Sequence, residues 1–269
     1  MSEKMIGFIG GGNMASAIIG GLLSSGLSDR EHVIASDKSE ASVERLKESF
    51  GIRACSENTE VSSAADILFL AVKPDVFKLV IPEIRDSLKK EAVVVSIAAG
   101  QSIAKVEAAF ERPVKLIRVM PNTPALVGAS MSALCRNELV TEEELEEVYK
   151  LFCSFGEAEV IPEKLMDAVV GISGSSPAYV YMIIEAMADA AVADGMPRAQ
   201  AYKFAAQAVL GSAKMVLETG KHPGELKDMV CSPGGTTIEA VAVLEKMGLR
   251  SAVIEGQRAC VRKSREMSQ

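Results

Sequence analysis

Three stretches of this 269-residue chain carry residue types and spacings that could do chemistry. In the first, KMIGFIGGGNMASAIIGGLL, Gly10-x-Gly12-x-x-Ala15 follows a short apolar run and opens an amphipathic one. Gly10 permits a tight turn, Gly12 lets the backbone approach a pyrophosphate, and Ala15 keeps the next helix close to its sheet. The free N–H groups of that helix start would face phosphates, which places Gly10, Gly11, Gly12, Asn13 and Met14 around a dinucleotide. An acid, Asp37, follows Ser36 at the end of the next β-type run. A carboxylate there can bond the adenosine ribose hydroxyls and repel a 2′-phosphate. If Asp37 turned away, Ser36, Lys38 and Ser39 could hold a 2′-phosphate instead, so both NADPH and NADH fit.

The second and third stretches lie further on. RVMPNTPALVG (118–128) sets two prolines around Asn122 and Thr123, a rigid loop just after a strand. DMVCSPGGTTIEAV (228–241) runs from Ser232 through Gly234 and Gly235 to Thr236 and Thr237 at a helix start. Small residues and hydroxyls there make either a carboxylate or phosphate site or a plain capped helix. Two further turns end strands: AVKP, with Ala71, Val72, Lys73 and Pro74, and SIAAG, with Ala99. Ligands of open α/β sheets lie across the carboxyl ends of the strands, so both turns should face the cofactor. Lys73 could be catalytic, phosphate-binding or solvated.

What the chain lacks is also informative. A carbonyl reductase needs a proton donor, usually Tyr, His or Lys. Neither His32 nor His222 sits in a site motif, and no Tyr-x-x-x-Lys pair is present. An imine can arrive already protonated, so its reduction requires mainly orientation and a polar pocket. The five cysteines show no C-x-x-C pairing and the histidines are two and far apart, so no metal site is expected.

The elements that must position these residues follow from periodicity. Up to about residue 160, strands at 4–9, 32–35, 67–72, 92–97, 114–119 and 131–135 alternate with helices near 13–25, 40–50, 75–89 and 102–110. The strands DILFLAV and AVVVSI are almost continuously apolar, as parallel strands covered on both faces must be. Strand–helix–strand order implies right-handed crossovers and a doubly wound sheet. Beyond about residue 162 the pattern is helical: 175–194, 198–219, 223–230, 236–247 and 249–266, with breaks at GMP, TGKHPG and SPGG. We divide the chain into a dinucleotide-binding domain, 1–161, and an all-helical domain, 162–269. SSPAYVYMIIEAMADAAVADG is apolar around most of its circumference, which suits burial on all sides or packing against a second subunit, and a domain of only about 105 residues favours the second.

A net charge of −7 argues against a nucleic-acid partner, no apolar run approaches a bilayer span, and no signal peptide is evident. We expect a cytoplasmic protein with a small-molecule substrate.

With FIGGGNMA, FLAVKP, SIAAG, MPNTP, GISGSSPAY and HPGELKDMVCSPGGTTIEA in that order, the whole chain resembles the pyrroline-5-carboxylate reductase family. The last segment is the most specific. The resemblance implies a Rossmann-type α/β domain followed by a helical dimerisation domain, and hydride transfer from NAD(P)H to a cyclic imine, giving L-proline. It implies that Ser232, Gly234, Gly235, Thr236 and Thr237 hold the substrate carboxylate, with the Thr237 hydroxyl near the ring nitrogen. Glu163 falls where the family places a substrate-side acid. On the cofactor side the family pattern adds Asn58 at the adenosine ribose and Asn122 near the nicotinamide. Asp37 departs from strongly NADP-selective members, which carry small or basic residues there. The family assembles as dimers through the helical domain, commonly five to a decamer. A reductase of β-hydroxyacids would show a helical Lys followed by an Asn, which neither Lys203 nor Lys214 has. A non-catalytic NAD(P) sensor would have no use for the second anion pocket.

Overall fold

The structure, a computed structural model, describes residues 4–268. The chain forms two compact units. One comprises the chain up to Ser175 together with the segment from Cys260 onward; the other is Ser176–Ala259. The division drawn from the sequence, at 161/162, lies ahead of this contact boundary. Met166 joins the core of the first unit, which draws the residues after 162 onto it.

The first unit runs β1 (Ile6–Ile9), α1 (Asn13–Ser25), β2 (Val33–Ser36), α2 (Glu40–Phe50), β3 (Arg53–Cys55), α3 (Asn58–Ala64), β4 (Ile67–Leu70) and α4 (Phe77–Ile84). It continues through β5 (Val93–Ser96), α5 (Ile103–Phe110), β6 (Lys115–Met120), β7 (Ser130–Arg136), α6 (Glu142–Cys153), β8 (Gly156–Val160) and α7 (Met166–Val169). The strands form one sheet in the order β3-β2-β1-β4-β5-β6-β7-β8. From β3 to β6 neighbouring strands are parallel, and the order reverses between β1 and β4. That reversal leaves a crevice at the carboxyl ends of β1 and β4, where open sheets bind ligands.

Residues alternate between the two faces of each strand, and both faces are covered. Ile6, Phe8, Phe69, Val95 and Ile117 pack with α1 and α6; Ile9, Leu68, Leu70, Val94 and Leu116 pack with α4 and α5. Phe8 stacks on Phe69 at 4.6 Å between ring centroids. This buried sheet positions the crevice.

The sheet is not wholly parallel, as a run of crossovers would make it. Strand β7 lies antiparallel to β6, and β8 pairs parallel with β7. The connection 121–129 is shorter than the roughly dozen residues that a parallel crossover needs. Five elements are additional to those expected: β3, α3, α6, β8 and the short α7. The strands β3 and β8 are the sheet's edges, short and largely polar, so they carry no apolar run. The expected helix 75–89 is shorter: a 3-10 turn takes Pro74–Val76, α4 begins at Phe77, and it ends at Ile84, two residues past Pro82.

A π-helical turn, Val170–Gly174, follows α7. The second unit then holds α8 (Ser176–Ala193), α9 (Arg198–Thr219), α10 (Pro223–Val230), α11 (Thr236–Lys246) and the start of α12 (Leu249–Ser268). Within one chain, Ala188 is the buried residue of α8, while Tyr181, Met182, Ile183 and Met187 are exposed. Large apolar side chains also stand exposed on α9 and α11, among them Phe204, Leu210, Leu217, Val243 and Leu244. Exposed apolar side chains gathered on these helices mark an interaction surface.

Candidate active site

The crevice beside the order reversal is a cleft of about 350 Å³. Of the residues read as cofactor-binding, Gly10, Gly12, Ser36, Asp37, Asn58, Ala71, Val72 and Lys73 line it. They come from the ends of β1, β2 and β4 and from the start of α3. The turn is pinned to both neighbouring strands: Gly10 N–H donates to Ser36 O (2.8 Å), and Ala71 N–H to Ile9 O (2.8 Å).

The glycines separate by cause. Gly10 has φ +100°, and a Cβ on it would lie 2.7 Å from the carbonyl oxygen of Ala71, so the fold itself demands glycine. Gly12 has ordinary dihedrals, φ −71° and ψ −175°, and a Cβ on it would meet no atom within 4 Å. Nothing among the described residues requires Gly12 to be glycine. The missing side chain leaves room in the cleft at the start of α1, whose Ncap it is and which has no side-chain cap. Unpaired N–H groups, the positive end of a 13-residue helix and an open approach fit a pyrophosphate.

Other expected residues have different settings. Gly11 is buried behind the turn, and Met14 packs on the core. Asn13 is exposed at the start of α1, Pro74 opens a short 3-10 turn, and half-buried Ala99 lies in the turn after β5. Asn58 is buried, and its amide is committed within the protein: Oδ1 accepts from Ser36 Oγ (2.8 Å), and Nδ2 donates to Glu83 Oε2 (2.9 Å). Asn122 is likewise buried. It donates to Ser173 O (3.0 Å) and accepts from Met131 N–H (3.0 Å) and Ser130 Oγ (3.1 Å), tying its loop to the π-helical turn. Lys73 is exposed, and its ammonium makes no ion pair among the described residues.

Glu163 braces the first unit. Its Oε1 accepts from Ile103 N–H (2.8 Å), at the start of α5, and from Arg118 Nη1 (3.0 Å). The Arg118 side chain is 7% exposed, the Glu163 side chain 36%. Since α5 follows the SIAAG turn, the carboxylate holds the end of that turn in place. Cys135 is buried nearby; burial first, and the Glu163 charge second, push its thiol up to about 12.

In the second unit, the 232–237 loop leads into α11. Gly234 has φ +65°, which favours glycine, and a Cβ on Gly235 would lie 2.3 Å from Ser232 Oγ and 3.1 Å from the Ser232 carbonyl oxygen, so the turn is tight there. Gly235 is the Ncap of the 11-residue α11 and supplies no side-chain cap. Ser232 and Thr236 are exposed and Thr237 half-buried beside these open N–H groups, an arrangement suited to a carboxylate.

Two family models match the chain: pyrroline-5-carboxylate reductase dimerisation over residues 163–267, and NADP oxidoreductase coenzyme F420-dependent over residues 5–100. A pyrroline-5-carboxylate reductase of Escherichia coli is 58% identical over 266 residues, covering 99% of each chain. The chain belongs to the pyrroline-5-carboxylate reductase family. A pyrroline-5-carboxylate reductase of Methanosarcina acetivorans is 43% identical over 267 residues, again 99% of each. The crystal structure of Plasmodium falciparum pyrroline carboxylate reductase with NADP bound matches all of both chains at TM-score 0.92 and 33% identity. With the family come an NAD(P)H-dependent oxidoreductase, a small-molecule substrate and oligomerisation. Among the described residues, no helix is long and apolar enough to cross a membrane.

Sequence reasoning overlooked Arg118, Glu83 and Arg45. Arg45 Nη2 donates to Gly11 O (2.5 Å). On the helix surface of α2 it reads as an ordinary solvated charge, and only the fold brings it to the turn.

Proposed function

We infer that this chain is a pyrroline-5-carboxylate reductase, reducing the C=N bond of Δ1-pyrroline-5-carboxylate to give L-proline, the last step of proline biosynthesis. The observation that carries this reading is full-length identity with a family member, 58% over 266 residues, on a chain whose cleft has a ligand-facing Gly12. NAD(P)H, when bound, supplies the hydride.

The chain's own residues do the rest. The Gly10–Met14 turn and the α1 N-terminus receive the pyrophosphate, with Ala71, Val72, Lys73 and Pro74 forming the wall beside them. Ser36 and Asp37 stand at the adenosine ribose, and Ala99 at the turn after β5. Asn58 and Asn122 act by holding Ser36 and the 121–130 loop in position, because their amides are committed to the protein. The α11 N-terminus, with Ser232, Gly234, Gly235, Thr236 and Thr237, takes the substrate carboxylate. The Thr237 hydroxyl bonds the ring nitrogen and orients the imine; Glu163 offers its second carboxylate oxygen on the substrate side. Because the imine arrives protonated, no general acid is required, and orientation in a polar pocket supplies the catalysis.

In domain terms, 1–161 binds the cofactor and 162–269 binds substrate and dimerises. The exposed aliphatic faces of α8, α9 and α11 support a homodimer, and the decamer is the higher assembly in this reading. Five free thiols suit a reducing cytoplasm.

Two variants test the assignment. Gly12→Val removes dinucleotide binding, since its side chain occupies the open approach. Thr237→Val leaves dinucleotide Kd unchanged and lowers kcat/KM for the imine on the order of a hundredfold. An unchanged kcat/KM in Thr237→Val would remove that residue from the site.

A further inference from the structure

We propose that Asp37 latches the Gly11 peptide of the dinucleotide turn and, held there, makes NADH the preferred reductant over NADPH. This rests on the reading of the β1–β4 cleft as the dinucleotide site, with the adenosine ribose at the end of β2.

The Gly11 peptide is gripped on both sides. Its N–H donates to Asp37 Oδ2 (2.8 Å), and its carbonyl oxygen accepts from Arg45 Nη2 (2.5 Å). The other Asp37 oxygen, Oδ1, accepts from Ser39 N–H (2.9 Å). Both carboxylate oxygens are therefore tied to backbone. Turning the side chain away would strand the N–H of Gly11, which is buried, and leave that of exposed Ser39 to water. The grip also explains the middle glycine: a Cβ on Gly11 would lie 2.7 Å from Leu46 Cδ1 and 3.3 Å from Asp37 Oδ2.

A carboxylate that cannot leave sets the chemistry of its end of the cleft, which it lines. Each oxygen keeps a second lone pair, so it can accept from a ribose hydroxyl while still holding its amide. A 2′-phosphate brings no hydrogen for that bond and adds like charge. The cations near this end offset little of that repulsion. Arg45 is committed to the Gly11 carbonyl, and Lys38 and Lys73, which line the same cleft, are exposed charges on flexible stems that water screens, whereas the carboxylate is fixed.

Asp37 thus positions the turn and selects the cofactor with one group, and the two roles can be separated by substitution. Asp37→Asn keeps an amide oxygen for Gly11 N–H but loses the charge. Asp37→Ser loses both. The test titrates NADH and NADPH into the full-length protein and follows nicotinamide fluorescence, which no tryptophan obscures in this chain.

For the unaltered protein the expected Kd is on the order of tenfold lower for NADH than for NADPH. In Asp37→Asn the two Kd values converge to within about threefold, with that for NADH little changed. In Asp37→Ser the NADH Kd rises on the order of tenfold, and the Gly11 amide of the ligand-free protein exchanges its hydrogen faster by a similar factor. Circular dichroism melts confirm that each variant is folded. NADPH binding as tightly as NADH to the unaltered protein overturns the proposal, as do Asn and Ser variants that match each other in both Kd and exchange. Gly12→Val serves as the control on the underlying reading. If it leaves both Kd values unchanged, the cleft is not the dinucleotide site. If it abolishes binding while the Asp37 variants keep the original preference, the proposal for Asp37 alone fails.

Discussion

Glu163→Ala separates a bracing carboxylate from a purely substrate-side one. In the structure one oxygen of Glu163 satisfies both Ile103 N–H and the guanidinium of Arg118. Removing it leaves a cation that is 7% exposed without its partner. Breaking a fully buried pair costs about 3–5 kcal/mol. Glu163 is itself 36% exposed, so water partly screens the pair and the expectation falls to about 2–3 kcal/mol. For a chain of this length that lowers Tm by about 4–9 °C. Glu163→Gln retains an acceptor for Ile103 N–H and should restore about half of the loss. The assay is urea unfolding at fixed protein concentration, because subunit association adds to apparent stability. Circular dichroism is the suitable probe in a chain without tryptophan. A Glu163→Ala protein within about 0.5 kcal/mol of the original, with only the KM for the imine raised, would refute the bracing role.

Two further outcomes follow from the same geometry. Gly10→Ala should destabilise the protein, because φ +100° and the Ala71 carbonyl both oppose a Cβ; Gly12→Ala should leave Tm unchanged or raise it slightly and still weaken dinucleotide binding. A Gly12→Ala protein with unaltered Kd would show that the open approach is not the phosphate site. Cys135, its thiol pushed up to about 12, should resist iodoacetamide at pH 9 in the folded protein and react in urea, while exposed Cys153 reacts in both. The unfolded thiol releases its proton near pH 9 and the folded one only near 12, so the site costs stability progressively across that window. Labelling of Cys135 at the Cys153 rate would contradict its burial.

The glycine turn was legible because its residues are contiguous and its flanking periodicities differ, strand before and helix after. The antiparallel β7 was not, because strand direction depends on connection length rather than on strand composition. Helix α6 begins at a capping box in which the Thr141 side chain bonds Glu144 N–H and Glu144 returns to Thr141 N–H. That signal, Thr-x-x-Glu, stands in the sequence and is sufficient to place the helix start. The roles of Asn58 and Asn122 are of another kind. Their partners, Glu83 and Ser173, lie 25 and 51 residues away, and Arg118 lies 45 residues from Glu163. A polar side chain in a site motif reads as a ligand contact until the fold shows which protein groups already occupy it.

Reduction of a cyclic imine by NAD(P)H has a stoichiometry that can be measured. The most direct test supplies Δ1-pyrroline-5-carboxylate and a limiting amount of NADH or NADPH, follows loss of reduced nicotinamide absorbance, and quantifies L-proline in the same reaction. We predict one proline formed per reduced nicotinamide consumed, and no oxidation when the keto forms of β-hydroxyacids replace the imine. Nicotinamide that binds but is not consumed with the imine present, or is consumed without proline appearing, would contradict the account.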